Sequence, residues 1–296
     1  MLKLLLGASG SGKTTLLYQR IRARAEKGEK SILLVPEQFT SSTEGRIYRE
    51  LGDALSGMVE SFSFTSLAEK ILSTEGGAAV QTLSDAGRAV LVRRALEELQ
   101  DNVHYYHRHR RSAAFCQMAA QTIDELKSAG LSGQQLAQLA GACGAESGKL
   151  SELALIFQGY ETLLAGTGMD PSDRLTLAAS RLESALARGG LPEFLRGREV
   201  FIDEFDTFNA PKKRLMGALL ASLPTVTVAL CDDGAPLIPG DMSLFSGAKQ
   251  VAAQLRQLAR RSGTEVAVPE LLRRDMRHAD APGLAAAARL LASGQC

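Results

Sequence analysis

Leu2-Lys3-Leu4-Leu5-Leu6-Gly7-Ala8-Ser9-Gly10-Ser11-Gly12-Lys13-Thr14-Thr15 joins a short apolar run, a glycine-rich turn and the start of a helix. It matches G-x-x-x-x-G-K-[ST], the loop that cradles phosphates. Gly7, Gly10 and Gly12 carry no Cβ to hold backbone amides away from an anion, and they reach backbone angles closed to other residues. The amides from Gly7 through Ala8, Ser9 and Ser11, with the positive end of a helix opening near Lys13, offer partial positive charge. Lys13 is expected to reach the β- and γ-phosphates of ATP, the Thr14 hydroxyl to ligate Mg²⁺, and Thr15 to complete the cradle. Residues 2–6 read as a buried strand and 15–21 as a helix, which is the setting such a loop needs.

The chain around this loop has 296 residues, 45% apolar and 23% charged, enough for one large or two modest soluble domains. A formal net charge of +1 excludes a globally basic nucleic-acid binder, so any DNA contact has to be local. Cys116, Cys143, Cys231 and Cys296 are scattered, with no C-x-x-C pair; reduced thiols are expected and an internal zinc or iron-sulfur site is not. No stretch has the length of a membrane span, and the first residues enter a strand with no room for a signal peptide. The expected location is the cytoplasm, and the alanine-rich end at Cys296 reads as a piece of a longer protein.

Strands and helices alternate at first. Residues 31–35, halted by Pro36, and 58–64 read as further strands, 42–51 as a helix, and 66–72 as a helix capped by Thr65. From residue 83 to 190 only helical patterns appear, among them 113–129 stopped by Gly130 and 150–164 with apolar residues at helical spacing. The sheet pattern resumes at 199–204, 225–230 and 264–268, with helices at 211–223 and 243–261. These readings divide the chain into a first part of a parallel α/β domain (1–82), an inserted helical subdomain (83–190), a second α/β part (191–270) and a basic linker (271–296).

The apolar strand at 199–204 ends in Asp203-Glu204. Beside a phosphate loop, such a pair is expected to supply a Mg²⁺ ligand, Asp203, and a residue that orients and deprotonates the attacking water, Glu204. The two motifs lie far apart in sequence, which fits a helical insertion. Leu131-Ser132-Gly133-Gln134-Gln135 resembles the LSGGQ signature of ABC transporter ATPases, but it stands far from the acidic pair. A helix stop at Gly130 and a cap at Ser132 explain it without ATP chemistry. His104-Tyr105-Tyr106-His107-Arg108-His109-Arg110-Arg111 has three readings: a solvated connection, a DNA-backbone patch carried by Arg108, Arg110 and Arg111, or an H-x-x-H-x-H metal site.

Taken together, Leu5 to Thr14, Leu33-Leu34-Val35-Pro36-Glu37-Gln38, Ser61-Phe62-Ser63, Leu83-Ser84-Asp85-Ala86-Gly87-Arg88, Asp124-Glu125-Leu126-Lys127 and Ile202-Asp203-Glu204-Phe205 resemble the N-terminal part of the AddB (RexB) family. These are the B subunits of bacterial AddAB helicase-nucleases, which process double-strand DNA ends. The resemblance implies a RecA-like, superfamily 1 helicase-like P-loop domain with an inserted helical subdomain, ATP and Mg²⁺ as cofactors, DNA as substrate, and an AddA-type partner in a heterodimer. It also implies single-strand DNA contacts at Gln38, Ser61 and Phe62. The family is longer, with a second motor domain, a nuclease domain and cluster-binding cysteines that this chain lacks. Its members often lack a glutamate after the acidic-strand aspartate, whereas Glu204 is present here. Two rival expectations are a free-standing P-loop phosphotransferase on a small molecule and a scaffold with a structural nucleotide site.

Overall fold

A computed structural model of the chain describes residues 1–77, 79–144 and 147–293. Its elements in order are β1 (Leu2–Gly7), α1 (Lys13–Ala25), β2 (Ser31–Leu34), α2 (Thr40–Leu51), α3 (Asp53–Ser56), β3 (Val59–Phe62), α4 (Phe64–Glu75), α5 (Asp85–Glu98), α6 (Ala113–Ser128), α7 (Gly133–Ala140), α8 (Ser147–Ala165), α9 (Arg174–Ala187), β4 (Glu199–Ile202), α10 (Ala210–Ser222), β5 (Val226–Cys231), α11 (Ser246–Arg261), β6 (Glu270–Leu272) and α12 (Pro282–Ser293). The chain divides into two compact units: Met1–Glu75, Ala179–Phe208 and the chain from Lys213 onward form one; Gly76–Ala178 and Asn209–Lys212 form the other.

The first unit is an α/β layer structure on a six-stranded sheet, ordered β3-β2-β4-β5-β1-β6, with every pairing parallel. Strands covered on both faces read as unbroken apolar runs. That is the pattern of β1 and β2, in which Leu2, Leu5, Ile32 and Leu34 are fully buried. Each such side chain contributes about 1.5–3 kcal/mol of burial. From β1 to β2 and on to β3 the chain steps one way across the sheet; from β4 to β5 to β6 it steps the other. Right-handed crossovers then put α1 and α2 on one face and α10 and α11 on the opposite face. On the first face Leu17, Ile21 and Ile47 pack against Leu5, Leu33 and Phe201. On the other, α10 and α11 meet at Gly217, where an added Cβ would come 3.2 Å from Leu258.

Three sequence expectations need correction. The last strand lies at Glu270–Leu272, not at 264–268: Val266 makes only a single bridge to Leu2, and Pro269 separates it from the run that pairs with β1. Helix α4 starts at Phe64, and its cap is Ser63, whose Oγ accepts from the Ser66 N–H at 3.1 Å; Thr65 lies inside the helix. Gly7 keeps an ordinary backbone angle. Its lack of a Cβ serves packing, because a Cβ there would strike the Ser11 hydroxyl and come 2.9 Å from the Leu272 carbonyl.

The second unit is helical. Val92, Leu96, Ile123, Phe157 and Tyr160 form its core from α5, α6 and α8. Ser132 and Gln135 make a reciprocal capping box at the start of α7, and Gly130 takes a left-handed φ of 85° before it. This local structure accounts for the LSGGQ-like stretch. Cys296 lies outside the described residues.

Candidate functional site

Parallel sheets present their loops at the carboxyl ends of the strands, and the turn after β1 and the residues after β4 both lie there. Gly10 and Gly12 hold φ of 81° and 86°, so the loop turns sharply into α1, whose first amides have no intrahelical partner. The Lys13 ammonium donates to the carbonyls of Gly7 and Ala8, each at 2.8 Å, which folds the side chain over its own loop. Ser11 is buried and its hydroxyl has no hydrogen-bond partner among the described residues.

At the end of β4, the Asp203 N–H donates to Leu34 O at 3.1 Å and carries the β2–β4 ladder one residue past the strand. Its side chain is buried beside the Thr14 hydroxyl and accepts from the Glu204 N–H at 3.0 Å. Glu204 has a φ of 64° and is the single non-glycine residue with positive φ among the described residues. A left-handed non-glycine residue costs about 1–2 kcal/mol, and such strain gathers at functional sites.

A cavity of about 630 Å³ brings these motifs together. Ser9, Gly10, Gly12, Lys13, Thr14 and Thr15 line it on one side, Asp203, Glu204 and Asp206 on the other. Burial raises the Asp203 carboxyl above its usual range, against the Thr14 hydroxyl and the Glu204 N–H. Burial, then the Asp203 charge, raises Glu204. Burial lowers the Lys13 ammonium, and Arg277 adds to that. The donor set is two hard oxygens, Thr14 and Asp203, with a cation beside them, which suits a divalent ion and a polyphosphate.

Four further lining residues carried no sequence signal: Arg46, Cys231, Met276 and Arg277. Arg46, from the polar side of α2, stacks its guanidinium 4.9 Å over the Tyr18 ring. Cys231 stands opposite Gly7 in the β1–β5 register. The segment after β6 lies on the glycine loop: the Met276 and Arg277 amides donate to Gly10 O at 2.8 and 3.2 Å, and the Arg277 guanidinium donates to Ser9 Oγ at 3.1 Å. Asp275 accepts from the Arg277 and His278 amides, each at 3.1 Å, and from His278 Nδ1 at 2.9 Å, which pins the turn. The composition of residues 271–296 reads as a basic linker because contacts made through backbone amides leave no trace in a sequence.

The remaining candidates stand elsewhere. Gln38 is exposed in the turn after β2; Ser61 and Phe62 are half-buried at the end of β3, the edge strand, and line a cavity of about 430 Å³ with Tyr48. In the helical unit, Arg108 and Arg111 are exposed, while Arg110 folds back onto His107, donating to its carbonyl at 3.2 Å and meeting its ring. The start of that segment is held by the buried Glu152 carboxylate, which accepts from the amides of His104, Tyr105 and Tyr106 at 2.7–3.2 Å. Among the described residues no group of three His, Cys, Asp or Glu is arranged to hold a metal, and no helix is long and apolar enough to cross a membrane.

The sequence profile of "ADDB, N-terminal" matches residues 4–286. Bacterial proteins named as the B subunit of an ATP-dependent helicase/deoxyribonuclease are similar to the chain. That of Desulforudis audaxviator is 34% identical over 90% of this chain and 23% of its own length. That of Moorella thermoacetica is 33% identical over 90% and 24%, and that of Symbiobacterium thermophilum 32% over 98% and 26%. The chain thus spans about a quarter of the length of these relatives.

Proposed function

The chain belongs to the AddB N-terminal family, and from that premise we propose that it is the ATP-binding region of a helicase-nuclease subunit that acts on DNA ends in recombinational repair. The observation that carries the nucleotide half is the meeting of Lys13, Thr14 and Asp203 around one cavity, although Asp203 is remote in sequence. In this reading the fold is a RecA-like P-loop domain built from residues 1–82 and 191–270, with residues 83–190 as its helical insertion. The loop from Gly7 to Thr15 holds the phosphates, and Lys13 exchanges its two carbonyl partners for phosphate oxygens. Thr14 and Asp203 would hold Mg²⁺, which would neutralise negative charge on the phosphates of ATP. Glu204 orients water, and Arg46 and Arg277 add positive charge at the cavity rim.

Gln38, Ser61 and Phe62 are the proposed single-strand DNA contacts, and Arg108, Arg110 and Arg111 a backbone patch. The relatives are named as one subunit of a larger enzyme, which motivates the further proposal of an AddA-type partner in a cytoplasmic heterodimer. The test is direct binding of a fluorescent ATP analogue with Mg²⁺. Wild-type protein binds it and Lys13→Ala weakens binding at least about tenfold; equal affinity in the two proteins would sink the nucleotide half. Turnover by the chain with a small-molecule acceptor would favour the phosphotransferase alternative.

A further inference from the structure

Positive charge is unevenly placed in this chain. Helices α10 and α11 carry Lys212, Lys213, Arg214, Lys249, Arg256, Arg260 and Arg261 and no Asp or Glu, while the whole chain balances 34 basic against 33 acidic residues. Some of these cations are neutralised locally. Lys249 pairs with Asp233 and Asp241, Arg214 pairs with Glu183, and Arg256 faces Asp232. Lys213, Arg260 and Arg261 make no ion pair among the described residues.

Between the two helices runs a cleft of about 380 Å³. Its rim carries Lys213, Arg214 and Arg261 together with the Gln254 and Gln257 amides, and among the described residues no carboxylate lines it. Its floor is apolar, with Val251 and Leu255 buried. The walls are fixed rather than loose: Leu258 packs on Gly217, Ser262 Oγ donates to Gly217 O at 3.3 Å, and Thr264 Oγ1 donates to Leu220 O at 2.9 Å. Unpaired cations and amide donors on a rigid, acid-free cleft complement a regularly spaced polyanion.

We propose that the α10–α11 face binds the sugar-phosphate backbone of DNA through Lys213, Arg260 and Arg261, with Gln254 and Gln257 donating to phosphate or sugar oxygens. The surface lies on the sheet face opposite α1 and α2 and shares no residue with the nucleotide cavity. DNA as the polyanion, in place of an acidic protein segment, rests on the function proposed above.

The experiment measures binding of a fluorescein-labelled DNA duplex by anisotropy across a salt series. Three proteins are compared: wild type, Lys213→Gln/Arg260→Gln/Arg261→Gln, and Gln254→Glu/Gln257→Glu. Thermal melting confirms that each is folded. Losing three phosphate contacts lowers the slope of log K against log salt by about two to three and the affinity by roughly tenfold or more. The glutamate variant, which removes no cation, weakens binding by repulsion. Unchanged slope and affinity in both folded variants overturn the proposal, as does a wild-type chain that binds no duplex. Loss of binding on Arg108→Gln/Arg110→Gln/Arg111→Gln with no response at α10 and α11 assigns the backbone to the other patch and also overturns it. Nucleotide binding is scored separately through Lys13→Ala, so either reading can fall without the other.

Discussion

Glu204 sits at the point where stability and chemistry pull apart. Its left-handed backbone costs about 1–2 kcal/mol, and glycine would relieve that while adding about 0.5–1 kcal/mol of chain entropy to be lost on folding. Glu204→Gly is therefore expected to stabilise the chain by about 0.5–1 kcal/mol in urea unfolding. Glu204→Gln keeps the strain, and is expected to bind the ATP analogue normally while any ATP turnover falls at least about a hundredfold. A Glu204→Gly variant less stable than wild type would show that the carboxylate contributes more to folding than its backbone costs.

The same pair sets a pH dependence. Burial raises both Asp203 and Glu204 above their unfolded values, so the folded state holds its protons more tightly than the unfolded state does. The contribution of these two groups to nucleotide-free stability is greatest below the ordinary carboxylate range and declines as pH rises through their raised values. Asp203→Asn is expected to flatten that decline and raise the midpoint temperature at neutral pH, measured by thermal melts across a pH series. A wild-type profile in this window identical to that of the variant would refute it.

At the scale of elements, the helical unit is held by a buried ionic junction. Asp170, fully buried at the turn before α9, accepts from Lys127 Nζ and Tyr160 Oη, each at 2.8 Å, and from Arg88 at 3.3 Å; Arg88 also pairs with Asp124 and Asp85. Removing one partner of a buried ion pair strands the others, at about 3–5 kcal/mol. Asp170→Ala is expected to destabilise the chain by that amount in chemical unfolding, against about 1.5–3 kcal/mol for Tyr160→Phe, which removes one bond to a charged acceptor. Equal, small effects would mean that the junction relaxes around its loss.

Strands β1, β2, β4 and β5 were legible because a strand buried on both faces must be an apolar run, and Pro36 and the acids after Ile202 mark where two of them stop; the half-buried edge strand β3 was legible without being such a run. The sixth was only half legible. Val266 looks more strand-like than Glu270-Leu271-Leu272, yet pairing follows where β1 has bonds to offer, and that is a property of the partner. Lys13, Thr14, Asp203 and Glu204 could be found because their chemistry dictates residue type. Arg46 and Arg277 could not: each is one cation among many until the fold brings it to the cavity.

For the molecule as a whole, β6 is a short strand on the edge of the sheet, beside the largely buried, leucine-rich β1. Ending the chain before residue 264 would leave the β1 edge unpaired from Leu5 to Gly7, where β6 now runs alongside. Open edges of this kind template association. Such a truncated chain is expected to self-associate in size-exclusion chromatography while the full chain elutes as a smaller species; a monodisperse truncated chain would argue that the β1 edge needs no cover.

The sheet order also fixes a timetable. Of the six strands β1 is made first, yet it is flanked by β5 and β6, and the Leu2–Val226 register shows that its nearer neighbour is made more than two hundred residues later. At ordinary synthesis rates that is a wait of roughly 10–45 s. Throughout it, five leucine- and lysine-built positions and the glycine turn behind them have no sheet to join. The nascent chain is therefore most in need of chaperone protection at β1, and slowing translation between β2 and β5 would lengthen that need where faster synthesis would shorten it.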